Sequence, residues 1–261
     1  MLRFRKGKVA LSADIKMMYH QVQVPKIDQP TYSFIWKTPG ALNPPGVYRM
    51  TVHVFGSVSS PSSCLYALRR IADDNEGEFP EAAECVRTSF YVDDLVRSVS
   101  TPDEAISLYK QLVELLRKGG FHLTKWVSSS RQVLAQIPRE ETSSPLKNFD
   151  VDDLPVERTL GLLWDAERDQ FKFSVRTEQS STTKRGVLSD ASSLFDSLGF
   201  LAPVTLIARG IMQDIWKANI DWDKQLPAEV LKVWEKWFST LNAVEKSAFH
   251  DTSTVIVNLQ N

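Results

Sequence analysis

The stretch that most constrains the fold is Ser89-Phe90-Tyr91-Val92-Asp93-Asp94-Leu95-Val96-Arg97-Ser98, two adjacent carboxylates set between short β-forming runs. The runs are rich in β-branched and aromatic residues and only two residues separate them, so the spacing predicts a β-hairpin with both aspartates at its tip. Asp-Asp makes a poor turn, because a primed turn wants positive φ and neighbouring like charges repel. Two explanations follow. A solvated turn tolerates aspartate because its side chain bonds nearby backbone amides. Alternatively, divalent cations relieve the repulsion, since Mg²⁺ prefers carboxylate oxygen and keeps open positions for water and phosphate. The second explanation needs another carboxylate from elsewhere in the chain.

Asp14 is the candidate. Val9 to Ala13 is small and apolar enough for a buried strand, and Asp14 arrives where that run ends. Taken alone, such an aspartate is a helix cap or a turn residue. Two strands side by side in one sheet would bring it close to Asp93 and Asp94, the arrangement needed for two-metal phosphoryl transfer.

The chain carries further motifs in a fixed order: Asp14-Ile15-Lys16 with Tyr19, Phe55-Gly56-Ser57-Val58-Ser59-Ser60-Pro61, Tyr91-Val92-Asp93-Asp94, Gly119-Gly120-Phe121-His122-Leu123-Thr124-Lys125-Trp126, and Leu160-Gly161. Their order and spacing resemble the palm motifs of reverse transcriptases. The wording around them, including Tyr48-Arg49-Met50-Thr51 and Ser197-Leu198-Gly199-Phe200-Leu201-Ala202-Pro203, resembles the Pao/BEL class of retrotransposon polyproteins up to about Leu241.

The resemblance implies an α+β fold: a polymerase palm, with an antiparallel sheet backed by helices, followed by a β-hairpin and a helical thumb or connection. It implies a palm with the remaining fingers strands over 1–139, a linker over 140–158, a primer-grip-like hairpin and Pao-type helical connection over 159–241, and a divergent tail over 242–261. The implied activity is RNA-directed DNA polymerisation with Mg²⁺, or Mn²⁺, at Asp14, Asp93 and Asp94. Asp14 and Asp93 are the expected bridging ligands and Asp94 a peripheral one. Tyr19 would be a steric gate under the sugar, and Phe55 an apolar neighbour of the base. Gly56, Ser60 and Pro61 would line the nucleotide pocket, and Lys125 would protonate the departing pyrophosphate. Leu160 and Gly161 would grip the primer terminus. The implied partners are an RNA template, a DNA primer, deoxynucleoside triphosphates and the rest of a polyprotein.

Most of these assignments have a plainer counterpart, the Phe55-Gly56 pair excepted. Lys125 on a strand is by default a surface residue. Ser60 and Pro61 make an ordinary helix start, and Tyr19 an amphipathic aromatic at a strand end. Thr159 to Trp164 and Phe171 to Val175 read as a structural hairpin. Two further functions also stay open: a catalytically inactive nucleic-acid-binding remnant, and a two-metal hydrolase using the same aspartates.

Composition narrows these choices. A net charge of −1 over 261 residues hides an asymmetry: Met1 to Arg70 holds ten Lys/Arg against two Asp/Glu, and Ile71 to Arg158 ten against seventeen. A basic segment suits phosphate partners. Cys64 and Cys85 lack metal-ligand spacing and read as reduced core thiols. No run is long and apolar enough for a bilayer and no signal peptide is evident, so the expected location is intracellular, cytoplasmic or nuclear.

Along the chain, helices are expected from Ser60, from Pro80, and from the Thr101-Pro102-Asp103-Glu104 capping box to Gly119-Gly120. A strand is expected over Phe121 to Val127, and helices over Leu188 to Leu198, Pro203 to Ile220 and Pro227 to Leu241. No Asp-Thr-Gly or Asp-Ser-Gly occurs that would serve an aspartic protease. Met1 stands thirteen residues before Asp14, so the fingers segment is expected to be missing, and the chain to stop before any ribonuclease H.

Overall fold

A computed structural model describes residues 6–40, 42–143, 154, 156–159, 162–175, 181–196, 199–246 and 248–249. The chain divides into two compact units, Met1–Asp152 and Asp153–Asn261.

In the first unit, strand β1 (Val9–Ile15) is followed by a ribbon of β2 (Ser33–Trp36) and β3 (Gly46–Arg49), then helices α1 (Ser60–Asp74) and α2 (Pro80–Ser89). A short β4 (Phe90–Tyr91) turns into β5 (Asp94–Val99), and α3 (Pro102–Lys118), β6 (Leu123–Ser128) and the single turn α4 (Arg131–Leu134) complete it. The principal sheet is antiparallel with order β4-β5-β1-β6. Strand β1 is therefore central, which suits its small apolar sequence: Val9, Ala10, Leu11, Ala13 and Ile15 are all buried.

Helix α3 backs this sheet, and its sequence specifies both ends. Thr101 accepts from the Glu104 amide at 3.2 Å, while the Glu104 carboxylate accepts from the Ser100 amide at 3.0 Å. At the other end the Phe121 amide bonds the Leu116 carbonyl and the Gly120 amide bonds that of Arg117, with Gly120 at φ 76°. This is a Schellman stop, and its left-handed position is why glycine stands there. Between the caps Ala105, Leu108, Leu112, Leu115 and Leu116 are buried, each large side chain contributing about 1.5–3 kcal/mol. A Cβ at Gly119 would strike Ile71 of α1, so that glycine lets the two helices approach. The strand after the stop begins at Leu123 rather than Phe121, because the stop itself uses Gly120 and Phe121.

The ribbon of β2 and β3 is unlike the main sheet. Phe34, Ile35, Trp36, Val47 and Tyr48 are all exposed, and Phe34 stacks on its cross-strand partner Tyr48 at 5.8 Å.

The second unit holds β7 (Val156–Thr159), β8 (Leu162–Asp165), β9 (Gln170–Lys172), α5 (Lys184–Ser193), α6 (Ala202–Lys217), α7 (Ala228–Lys246) and β10 (Ala248–Phe249). The expected hairpin is here part of a four-stranded antiparallel sheet, order β10-β9-β8-β7, and β7 begins inside the segment read as linker. Helix α5 starts at Lys184, four residues before the expected Leu188, because Thr183 caps it by accepting from the Gly186 amide at 3.2 Å. Trp234 and Trp237 stack at 4.5 Å in the core, and the Trp237 indole donates to the Val204 carbonyl at 2.8 Å, joining α7 to α6. Trp216 and Trp222 instead stay partly exposed and flank the buried Lys184 ammonium at 4.3 and 4.9 Å. Among the described residues, no helix is long and apolar enough to cross a membrane.

Candidate active site

Pairing of β1 with β5 sets Asp14 directly opposite Asp94. Residues directly opposite on neighbouring strands share a face and stand about 4.5–5.5 Å apart at Cβ, so two carboxylates are forced together at one end of the sheet. Asp93 is next to them, its carbonyl accepting from the Ile15 amide at 2.9 Å. The turn itself differs from the sequence expectation. Tyr91 pairs with Asp94, which leaves Val92 and Asp93 as the two turn residues and makes Asp94 the first residue of β5. Val92 takes φ 58°, a conformation that a β-branched side chain adopts at a cost of about 1–3 kcal/mol.

Asp93 and Asp94 are electrostatically under-compensated. Burial pushes the Asp94 carboxyl up to about 6, and the negative charges of Asp93 and Asp14 push the same way against Lys125. Burial likewise raises Asp93; its own backbone amide opposes the shift, Asp14 adds to it and Lys125 opposes it. The Lys125 ammonium lies 3.2 Å from Asp14 Oδ2.

Lys125 reaches Asp14 through a β-bulge. Ser12 pairs with Val127 but Asp14 pairs with Thr124, so β6 spends one residue more than β1 over this interval, and Lys125 sits in it at φ 54°. The adjacent Trp126 is buried edge-on against Tyr109 at 5.0 Å, its indole N–H without a hydrogen-bond partner among the described residues. Met17, three residues after Asp14, has φ 48°. Among the described residues of the first unit, Met17, Val92 and Lys125 are the non-glycine residues with positive φ, and each adjoins an element that carries one of the aspartates.

Tyr19 lies in a 3-10 turn (Met18–Gln21) just past β1, its ring 4.8 Å from that of Phe55. Burial and the negative charge of Asp93 raise its hydroxyl above the ordinary tyrosine value. Phe55 is 74% exposed, and Gly56 beside it has φ 92° with open space where a Cβ would stand. Glycine is needed there for its backbone sign. Ser60 is fully buried; its hydroxyl donates to the Val54 carbonyl at 2.8 Å and lies 3.2 Å from His53 Nδ1, so it fastens the loop to α1 instead of facing outward. Pro61 occupies the first turn of α1. Leu160 and Gly161 lie outside the described residues. Sequence spacing gave no sign of a hydroxyl cluster that steadies the same loop: the Tyr32 hydroxyl is 2.9 Å from Ser57 Oγ and 3.2 Å from Ser59 Oγ.

Residues 2–126 match the family model of the reverse transcriptase (RNA-dependent DNA polymerase), and residues 183–254 that of the Pao retrotransposon-like RNaseH-like domain. Together the two matches support a reverse-transcriptase fragment of the Pao/BEL type. The second match runs past Leu241, where the sequence resemblance was read to end, and its description names an RNaseH-like domain where none was expected. No curated protein matches the chain. A solved structure, the foamy viral protease-reverse transcriptase dRH in complex with double-stranded DNA, is similar at a TM-score of 0.57 and 14% identity over 90% of this chain. This chain spans 35% of that one, and the likeness is one of fold.

Reverse transcriptases depend in general on a divalent cation, which makes the donor set the matter to test. Among the described residues, no three His, Cys, Asp or Glu side chains are grouped as metal ligands. One oxygen of Asp14 is instead engaged by Lys125. The chemistry of the carboxylates nevertheless fits a hard cation: three carboxylate donors at one sheet end, two with raised pKa values, with the Lys125 ammonium beside Asp14.

Proposed function

We propose that the first unit is the palm of an RNA-directed DNA polymerase that extends a DNA primer on an RNA template with deoxynucleoside triphosphates. The observation that carries this reading is the cross-strand pair of Asp14 and Asp94 with Asp93 in the adjoining turn. Asp14 and Asp93 would hold Mg²⁺ or Mn²⁺, with Asp94 supporting from the first position of β5. When bound, the cations lower the cost of charge on the attacking 3′-oxygen and the leaving pyrophosphate.

The remaining roles belong to side chains of this chain. Tyr19, steadied by Phe55, would lie under the sugar and exclude a 2′-hydroxyl. Phe55 offers the base an apolar surface only, and the open space at Gly56 leaves its backbone accessible. Lys125 would deliver a proton to the pyrophosphate oxygen. The basic surplus of Met1 to Arg70 supports binding to a phosphate backbone. The rest of a polyprotein would be the covalent partner.

Primer extension on an RNA template with Mg²⁺ tests the reading: Asp93→Asn should lower extension at least about 100-fold with the fold retained by circular dichroism. Persistent extension in that variant would remove the assigned site. Tyr19→Ala should raise ribonucleotide incorporation about tenfold relative to deoxyribonucleotides. One observation favours a second reading, a nucleic-acid-binding remnant without turnover: Lys125 already neutralises part of Asp14. It requires template binding with no extension in the unmodified chain.

A further inference from the structure

The placement of Lys125 beside Asp14 is unusual for a residue of a regular strand. Thr124 is the cross-strand partner of Asp14, so in a regular strand the next residue would point to the opposite face of the sheet. The bulge breaks that alternation: Trp126 and Val127 are buried in succession, and Lys125 returns to the carboxylate side with its backbone in the left-handed region. The contact so obtained is weak on its own terms. Lys125 is 65% exposed, and ion pairs at such positions add little to stability. A strained backbone that delivers a weakly held ammonium to Asp14 is better suited to giving that ammonium up than to holding the fold.

We infer that Lys125 is a displaceable counter-ion of Asp14, which occupies the carboxylate in the absence of metal and must leave it when a divalent cation binds. The inference rests on the metal site of the proposed polymerase. Lys125 thereby opposes cation loading and sets its affinity, and the loaded site leaves the ammonium free for another anion. The expected size follows from charge alone. A single positive charge about 6 Å from a divalent cation weakens its binding about tenfold even at the dielectric of water.

The test is Mn²⁺ binding to the full chain without nucleic acid or nucleotide, followed by the electron paramagnetic resonance signal of free Mn²⁺. Lys125→Met should bind Mn²⁺ about three- to tenfold more tightly than the unmodified chain, Lys125→Arg about as the unmodified chain does, and Asp14→Asn far more weakly. Equal or weaker binding by Lys125→Met overturns the counter-ion role while leaving the metal site standing. Absence of Mn²⁺ binding in every variant overturns both the site and the inference. A second measurement needs no substitution: acetylation of Lys125 by acetic anhydride, mapped by peptide mass, should speed up when Mn²⁺ is added. An unchanged rate means that the ammonium never left Asp14, and rejects the inference.

Discussion

Each unit carries a carboxylate withdrawn from solvent on an antiparallel sheet, and the two are treated in opposite ways. Asp165, at the end of β8, is 1% exposed and fully clasped: Lys172 Nζ lies at 2.7 Å, Arg168 Nη1 at 3.1 Å, and the Arg168 amide donates at 3.0 Å. Burial opposes its ionisation, but the bonds from Lys172 and Arg168 outweigh burial and hold the carboxyl below the usual range. Among the described residues Asp93 and Asp94 have no such clasp, and burial together with repulsion from neighbouring carboxylates raises them. A satisfied carboxylate serves the fold around it. Two under-compensated carboxylates beside Asp14, framed by strained backbone, lower the stability of their own unit, as the proposed cation site would require.

The sharpest way to break this contrast is to neutralise one acid of each kind. Asp93→Asn should cost at least about 100-fold in primer extension and leave the melting temperature unchanged or raised. Asp165→Asn should do the reverse, lowering the stability of the second unit by about 2 kcal/mol, because it removes the only anion of that clasp among the described residues and leaves two cations facing each other. Thermal melts of the two variants separate the cases. If Asp93→Asn destabilises as much as Asp165→Asn, the contrast is lost.

The pH dependence should also run in opposite directions. Asp94 titrates near 6 in the folded chain against about 3.9 unfolded, so the folded state holds its proton more tightly and gains stability as pH falls from about 7 toward 5. Discounted for solvent screening at a part-buried group, the gain is about 1 kcal/mol in metal-free buffer. Asp165 has a depressed folded value, so its contribution is present above about pH 4 and is lost as pH falls through that lower value. Metal-free melts at pH 5 and 7.5 measure the first effect, and Asp94→Asn should flatten the difference.

Much of the candidate site's scaffold is legible in the chain because it depends on local pattern. Asp14 stands where an apolar run ends, and a two-residue gap between β-forming runs marked the hairpin of Asp93 and Asp94. Helix α3 was recognisable from both caps, since Thr101, Glu104 and Gly120 each have a local backbone role. The features that were missed depend on partners distant in sequence. Nothing near Lys125 advertises a bulge: glycine would be the usual signal for φ above zero, and here the strain falls on lysine. Val92 hid the true turn for the same reason, because a β-branched residue argues against positive φ. The role of Ser60 as a buried loop anchor needed His53 and the Val54 carbonyl in space. In the second unit, β7 was concealed inside a polar, acidic stretch, where only pairing with β8 reveals a strand.

The central claim is that the three aspartates converge on divalent cations that take the place of Lys125. Anomalous scattering from Mn²⁺ in crystals of the full chain tests it directly. The account predicts manganese peaks bounded by Asp14 and Asp93, with the Lys125 ammonium withdrawn from Asp14. Manganese bound elsewhere, or Lys125 still seated on Asp14 with no metal beside it, would contradict it.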